Sequence, residues 1–306
     1  MQTTLNKPIT FDGVGLHSGE PVRMVVKPAP ADSGIWFVRS DLEGDNRVHA
    51  QFDTTSQAKL CTRIENAAGV SVSTIEHIMA ALAGCGVQNA LIDLNGPEVP
   101  VLDGSSAEYV TAILTAGRKS LDVPIRALRI LKPVEVSEGE AIARLEPAET
   151  LYIDFHIRFK DAAIGQQDKT LSMANGAFVR ELCDSRTFCR QADVDAMHAA
   201  GLALGGTINN AVVIDGDDVL TPGGLRHHDE AVRHKMLDAL GDLALAGGPI
   251  LGRYTGIRAG HALTNKLLRA VFADKSAWEW VDCSATVASR LPGAGLRVSD
   301  IPALVQ

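Results

Sequence analysis

The alternation of apolar and polar positions predicts two groups of strands and helices in series along the 306-residue chain. The first group has strands at 21–27, 34–39 and 89–94 and helices at 71–83 and 107–116. The second has strands at 129–137, 141–146, 151–158 and 210–215 and helices at 174–181, 192–200 and 231–246. This order predicts an α+β fold of two similar units, residues 1–123 and 124–306, with a boundary between Ser120 and Ile125.

The helix predicted over 231–246 places three ionisable residues on one face. Each residue of an α-helix advances by about 100°, so His234, Asp238 and Asp242 follow one another at four-residue steps. An imidazole and a carboxylate one turn apart can bind a single metal ion. A solvated face would show the same spacing. However, the segment is apolar nearly all round, so its polar residues should be partly buried and need partners.

A metal ion held by His234 and Asp238 would need a third protein ligand, and His77 is the leading candidate. The neighbouring Glu76 would then suit a base that takes a proton from water activated by the metal. The same residues allow a second interpretation, because Ser73-x-x-Glu76 is also the pattern of a capping box. His77 would then be a surface histidine, and the spacing leaves both interpretations open.

Other histidines and two glycine-rich runs carry weaker signals. His261 is isolated behind a glycine, and only a carboxylate partner such as Asp242 would make it an acid rather than a structural residue. We set aside the pair at 227–228, because adjacent helical residues point about 100° apart. The runs at 13–19 and 201–206 fit neither a dinucleotide fingerprint nor a phosphate loop, so we predict turns.

Net charge, cysteine content and the length of apolar runs indicate which partners and which cellular compartment to expect. The formal net charge of −8 and the pI near 5.6 disfavour nucleic acid as a partner. The five cysteines include no C-x-x-C pair, which suits a reducing compartment and leaves nitrogen and oxygen as metal ligands. The chain shows neither a signal-peptide pattern nor a run of about 18 apolar residues. We therefore expect a cytoplasmic protein without an integral membrane segment.

Six sequence blocks, in this order, resemble one enzyme family: GVGLHSG at 13–19, STIEHIMAALAG at 73–84, PEVPVLDGSS at 97–106, SRTF at 185–188, VRHKMLDALGDL at 232–243 and GHALTNKLL at 260–268. The family is the zinc-dependent UDP-3-O-acyl-N-acetylglucosamine deacetylase of lipid A biosynthesis. The resemblance implies two domains, each a helix layer packed on a β-sheet, with the active site at their interface. It also implies an inserted β-α-β segment at about 188–215 that binds the acyl chain, and a monomer that releases acetate from the acylated UDP-amino sugar.

The same resemblance implies one Zn²⁺ per chain and gives roles to polar residues at matching positions. The implied roles are zinc ligation for His77, His234 and Asp238, general base for Glu76, general acid for His261, orientation of that acid for Asp242, and a hydrogen bond to the developing oxyanion for Thr187. Zinc would polarise the acetamide carbonyl and activate the attacking water.

Substrate contacts are implied in the same way. Lys235 and Arg258 match positions at the diphosphate, Phe159 one near the uracil, and Phe188, Leu16 and Cys61 positions along the acyl passage. The chain departs from the family in two places, a polar run at 189–191 and the sequence IRFKDAAIG at 157–165. A non-catalytic sugar-nucleotide sensor of the same fold is the alternative, whereas the lack of H-E-x-x-H disfavours a zinc peptidase.

Overall fold

The computed structural model describes residues 1–301 and has the predicted α+β composition. The elements of the first half are β1 (Thr3–Leu5), β2 (Ile9–Val14), β3 (Pro21–Pro28), β4 (Ile35–Arg39), β5 (Arg47–His49), β6 (Thr55–Ser56), β7 (Arg63–Glu65), β8 (Ser71–Val72), α1 (Glu76–Gly84), β9 (Ala90–Leu94), α2 (Ala107–Ala116) and β10 (Arg118–Ser120). A single 3₁₀ turn, Phe52–Thr54, lies between β5 and β6.

Within the described residues, the second half contains as many strands as the first and the two longest helices. Its elements are β11 (Arg126–Ile130), β12 (Val134–Glu138), β13 (Ala141–Pro147), β14 (Tyr152–Arg158), β15 (Gln166–Ser172), α3 (Ala177–Glu181), β16 (Phe188–Arg190), α4 (Gln191–Ala199), β17 (Val212–Asp215), β18 (Asp218–Val219), α5 (Glu230–Leu243), β19 (Ile250–Ile257), α6 (His261–Ala273), β20 (Trp278–Asp282) and α7 (Ala285–Ala288). Three 3₁₀ turns accompany them at Ala174–Gly176, Ala244–Ala246 and Val298–Asp300.

Each half builds one main sheet. The first has the strand order β2-β3-β9-β4-β5, in which only β4 and β9 run parallel. The second has the order β12-β13-β19-β11-β20, and β14 pairs with β19 in parallel and with β15 in antiparallel register. Strand β3 shows the expected alternation, with Val22, Met24 and Val26 buried between exposed or half-buried neighbours. Its buried face therefore turns towards the core.

Helices α1 and α5 pack directly against each other and join the two halves. Both are buried over most of their length, which explains why their sequences are apolar nearly all round. Gly241 permits their close approach, because a Cβ at this position would lie 2.1 Å from the carbonyl oxygen of Glu76. The glycine brings the first turn of α1 against the last turn of α5, beside the candidate site.

A smaller unit extends from the second half over the residues that follow Thr187. Strand β16 pairs with β17 in parallel register, helix α4 connects them, and β18 adds an antiparallel edge. The segment expected at 188–215 is thus a β-α-β unit. None of the residues of α4 is fully buried, so its apolar side chains remain partly open to solvent.

Three predicted elements were wrong in detail. The strand expected at 129–137 is divided into β11 and β12, because Pro133 cannot donate to a ladder and stands between them. The helix expected at 71–83 begins only at Glu76, after the two residues of β8. The segment at 174–181 is kinked at Asn175, whose φ of 53° is left-handed, so α3 is shorter than predicted.

The predicted boundary falls between the end of β10 at Ser120 and the start of β11 at Arg126. The division into units 1–123 and 124–306 stays a proposal, and residues 302–306 lie outside the described part of the chain. Within residues 1–301, no helix combines the length and apolarity needed to cross a bilayer.

Candidate metal centre

Three side chains from the two halves form a cluster with the geometry of a metal site. One ligand atom from each of His77, His234 and Asp238 lies within 4.8 Å of the others, and all three residues are buried. The Nε2 atoms of His77 and His234 stand 3.6 Å and 3.3 Å from Asp238 Oδ1. The two imidazole rings meet edge to face, with centroids 5.0 Å apart. The nitrogen and oxygen atoms therefore point to a common centre.

The surrounding hydrogen bonds fix these side chains in place. His234 Nδ1 lies 3.0 Å from the carbonyl oxygen of Ser185, so this nitrogen donates and leaves Nε2 as the free lone pair. Burial lowers the pKa of His234 to about 4, which keeps the ring neutral at physiological pH. On the opposite side, Ser106 Oγ donates to the backbone carbonyl of His77 at 2.9 Å. The backbone of Ser185 therefore holds the ring of His234, and the side chain of Ser106 holds the backbone of His77.

The state of Asp238 tests whether the cluster fits a cation. Its Oδ2 accepts a hydrogen bond from Lys235 Nζ at 2.9 Å, whereas Oδ1 is buried and has no hydrogen-bond partner within residues 1–301. Burial opposes ionisation, but the positive charges of Lys235 and His261 hold the pKa of Asp238 well below its usual range. A buried carboxylate oxygen without a donor is costly. Two imidazole nitrogens and this oxygen therefore suit a divalent cation such as Zn²⁺.

Glu76 lies beside the cluster and is only 3% exposed. Its Oε2 accepts from the backbone N–H of Thr62 at 3.0 Å, and the helix begins at an N-cap, Ile75, without a side-chain cap. The capping-box interpretation of Ser73-x-x-Glu76 is therefore wrong, because the carboxylate turns into the site instead of back to its own helix. Burial raises the pKa of Glu76 above that of an exposed glutamate.

His261, the first residue of α6, lies beside Glu76 and the candidate ligand Asp238. Its Nδ1 lies 2.9 Å from Asp242 Oδ2, and its Nε2 lies 3.8 Å from both Glu76 Oε1 and Asp238 Oδ2. Burial lowers the pKa of His261, but the carboxylates of Asp242, Asp238 and Glu76 outweigh it and raise the pKa to about 9. The ring is therefore protonated at neutral pH, and its Nε2–H points toward the cluster.

The other residues predicted at the site differ in their surroundings. Thr187 is fixed by its backbone, which donates to Gly104 and accepts from Val212 at 2.8 Å each. Lys235 is bonded to the candidate ligand Asp238 rather than standing free for a diphosphate. Arg258 has a left-handed φ of 50° and pairs with Glu140. The roles predicted for these side chains stay predictions.

The residues predicted along the substrate passage fall into two places. Phe159 and Phe188 meet edge to face at 5.5 Å, and Phe188 lies 6.4 Å from the His234 ring. Leu16 accepts from the N–H of Gly205 at 3.0 Å, so the two glycine-rich turns predicted from the sequence touch each other. Cys61 is buried, and burial, followed by the charge of Glu76, raises the pKa of its thiol to about 12.

Several buried polar residues near the site were not predicted from the sequence. Glu98 Oε1 accepts from the N–H of His17 at 2.9 Å and from Thr74 Oγ1 at 2.7 Å, and its Oε2 accepts from the N–H of Ser18 at 2.9 Å. Neither ring nitrogen of His17 has a hydrogen-bond partner in the described part of the chain, although both are buried. The available signal was His17, a histidine between two glycines, but we interpreted residues 13–19 only as a turn.

The histidines set aside at the sequence level lie elsewhere. His227 pairs with Asp184 at 2.9 Å, and the side chain of His228 is 93% exposed. Neither belongs to the group of residues that could hold a metal. Their exclusion agrees with the geometry.

Comparison with known proteins identifies the family. Residues 2–273 match the family model of UDP-3-O-acyl N-acetylglycosamine deacetylase. The chain belongs to this family. It is 50% identical over 278 residues to the UDP-3-O-acyl-N-acetylglucosamine deacetylase of Phenylobacterium zucineum (strain HLK1). The aligned region covers 90% of this chain and 95% of the relative.

Two further deacetylases show that the similarity is spread over nearly the whole length. The protein of Xanthomonas campestris pv. campestris (strain B100) is 45% identical, over 92% of this chain and 93% of its own. That of Shewanella frigidimarina (strain NCIMB 400) is 41% identical, over 96% and 98%. Membership of the deacetylase family confirms the resemblance seen in the sequence blocks and shows that the chain is an enzyme. The comparisons give the sensor alternative no support.

Proposed function

We propose that this protein is a zinc-dependent deacetylase that hydrolyses the N-acetyl group of UDP-3-O-acyl-N-acetylglucosamine and releases acetate and the free 2-amine. The observation that carries the proposal is the convergence of His77, from the first half, with His234 and Asp238, from the second. The printed names of the relatives supply the substrate class. A committed step of lipid A biosynthesis in the cytoplasm, by a monomer, is part of the same proposal.

Zinc is the cation that the donor set favours. Catalytic zinc sites commonly hold three protein ligands and leave one position for water or substrate, and a set of two histidines and one carboxylate is typical of hydrolases. When bound, the zinc ion would supply a Lewis acid for the acetamide carbonyl and lower the pKa of water to about 7. His77 and His234 would contribute Nε2, and Asp238 would contribute the oxygen that lacks a donor.

The remaining side chains would then move the protons. Glu76 would take a proton from the attacking water, since burial raises its pKa towards the working pH. His261 would give a proton to the departing amine, because it is protonated at neutral pH and Asp242 directs its Nε2 towards the centre. Thr187 would donate to the developing oxyanion. His261 Nε2 and Glu76 Oε1 are 3.8 Å apart.

Contacts with the rest of the substrate complete the proposal. Lys235 and Arg258 would meet the diphosphate after exchanging their present carboxylate partners. Phe159 would lie near the uracil. Phe188 from the β-α-β unit, with Leu16 and Cys61 from the first half, would border the acyl chain. No nucleic acid partner is needed for this activity.

Zinc analysis combined with an acetate-release assay tests the proposal directly. The wild-type protein should contain one zinc ion per chain, and His77→Ala and His234→Ala should each lose both the metal and acetate release. His228→Ala is the matched control, because that histidine is exposed and outside the cluster. Full activity in both cluster variants without stoichiometric metal would refute the proposal.

A further inference from the structure

Thr62 occupies a position between the two candidate proton-transfer groups. It is 1% exposed and precedes β7, in a segment without a regular element. Its N–H donates to Glu76 Oε2 at 3.0 Å, and its hydroxyl donates to Asp242 Oδ1. Its carbonyl accepts from the N–H of Ile75 at 3.3 Å. Every polar group of this residue is therefore directed at the start of α1 or at the C-terminal end of α5.

The hydroxyl bond changes what Asp242 can do. The carboxylate of Asp242 uses Oδ2 for His261 Nδ1, at 2.9 Å, and Oδ1 for Thr62. A carboxylate held at one oxygen can turn about its terminal torsion, which is broad. Held at both oxygens, it has a fixed plane, and the imidazole that it binds has a fixed orientation. The direction of His261 Nε2 therefore depends on a hydroxyl that does not touch it.

The backbone bond has the same consequence for Glu76. Within residues 1–301, the N–H of Thr62 is the sole hydrogen-bond donor to this carboxylate. One residue thus holds the side chain of the base through its main chain and the partner of the acid through its side chain. A residue needed only for folding would not have to serve both groups at once.

We propose that Thr62 is a positioning residue of the deacetylase, which fixes Asp242, and through it His261, relative to Glu76. This inference rests on the proposed function, since it assumes that these groups transfer protons. Thr62 is not a catalytic residue in the strict sense, because its hydroxyl is committed to Asp242. Misplacement of a reacting group by about 1 Å can lower a rate by about 100-fold.

Isosteric replacement tests the hydroxyl. In the zinc-loaded protein, Thr62→Val keeps the backbone N–H and the shape but removes the bond to Asp242, so kcat for acetate release should fall by about 10- to 100-fold with little change in KM. Thr62→Ser keeps the hydroxyl and should restore kcat to within about three-fold. Thr170→Val is the control, because it removes a comparable hydroxyl bond, 2.7 Å to Asp154, on an exposed strand.

A double-mutant cycle separates positioning from a general loss of packing. If the hydroxyl acts through His261, then Thr62→Val should have little further effect on kcat in a His261→Gln background. Effects that simply multiply would overturn the proposal. Melting temperature and bound zinc are measured for each variant. Bound zinc should match the wild-type value, and the melting temperature of Thr62→Val should fall by only a few degrees, because a buried oxygen of Asp242 loses one donor.

The remaining outcomes are equally decisive. Wild-type kcat in Thr62→Val would overturn the positioning role while leaving the deacetylase itself established by the wild-type assay. If the valine variant does not fold, Thr62→Ala takes its place. Failure of both variants to fold or to retain zinc would make the hydroxyl bond structural and would also overturn the inference. A wild-type protein without acetate release would instead contradict the proposed function.

Discussion

Helix α5 carries two buried charged clusters, one at its first turn and one in its middle, and they are built in opposite ways. At the first turn, Glu230 is 1% exposed and accepts four hydrogen bonds. Three come from Arg186 and one from the N–H of Arg226, at 2.7–3.1 Å. In the middle of the helix, Asp238 leaves one buried oxygen without a donor among residues 1–301. The carboxylates of the two clusters are similarly buried, but they differ in the number of hydrogen bonds that their oxygens accept.

The pKa values of the carboxylates at the two places shift in opposite directions. Burial opposes ionisation of Glu230, but the bonds from Arg186 and Arg226 lower its pKa. Glu76, in the other cluster, accepts one hydrogen bond within residues 1–301, and burial raises its pKa. A carboxylate saturated with donors has no capacity left for a proton or a metal ion. The comparison teaches that fully hydrogen-bonded carboxylates mark the structural cluster, whereas incompletely hydrogen-bonded ones mark the cluster that we propose to be reactive.

The same substitution on the two carboxylates gives the sharpest test of this difference. Glu76→Gln should lower kcat by roughly 10³- to 10⁴-fold, equivalent to about 4 to 5 kcal/mol of barrier, because an amide cannot accept the proton of water. Folding and zinc content should be unchanged, since the amide oxygen still accepts from Thr62. Acetate release, zinc analysis and thermal melting measure the three properties.

Two outcomes would break the comparison at this point. A Glu76→Gln protein with nearly full activity would remove Glu76 from the role of base. A large loss of stability in the same variant would instead place it with the structural carboxylates. The Glu230→Gln protein, assayed alongside, provides the matched control.

The sequence predicted those parts of the site that follow a regular period. His234, Asp238 and Asp242 lie on one face of α5 because four-residue steps on a helix nearly repeat. The convergence of His77 with this face depends on the packing of α1 on α5, which no local pattern contains. Thr62 escaped prediction because it lies in an irregular segment, where a lone threonine has no periodic signal.

Prediction of the fold also succeeded where the pattern of residues is regular and failed where it is not. Strands with strict alternation, such as β3, agree with their predicted bounds to within one residue. Errors arose where a local rule competed with a longer pattern, as at Pro133, which divides a predicted strand into two. The family resemblance added the long-range arrangement that periodicity lacks. The element order alone gave the α+β class.

Removal of the negative charge of Glu230 should lower the free energy of unfolding and leave the rate of acetate release unchanged. Glu230→Gln leaves the guanidinium of Arg186, whose side chain is 8% exposed, without its counter-charge. Breaking a buried ion pair in this way should lower the free energy of unfolding by about 3 kcal/mol. Chemical denaturation measures this loss, and the folded fraction should retain the wild-type kcat at low temperature.

An unchanged free energy of unfolding would contradict the structural interpretation of the cluster. A lower kcat in fully folded, zinc-loaded Glu230→Gln would extend the reactive region to the first turn of α5. Either result would remove the distinction drawn from the number of donors.

The smallest expected effect concerns pH and the neighbour of Glu230. Asp229 accepts from Lys169 Nζ at 2.9 Å and from Arg233 Nε at 2.6 Å. Burial opposes ionisation, but these two partners lower its pKa from 3.8 to about 2. Because the folded pKa is the lower one, its contribution to stability, about 2 kcal/mol, is complete above about pH 4 and disappears as the pH falls through about 2.

Asp229→Asn should therefore lower the free energy of unfolding by about 2 kcal/mol at pH 7, and the difference from wild type should shrink as the pH falls from 4 towards 2. Denaturation midpoints of both proteins at several pH values measure it, with Asp12→Asn as the control, since that side chain is 65% exposed. A difference that stays constant across this range would mean that the carboxylate titrates alike in both states. The start of α5 would then lack the electrostatic preference for ionised carboxylates that separates Asp229 and Glu230 from Glu76.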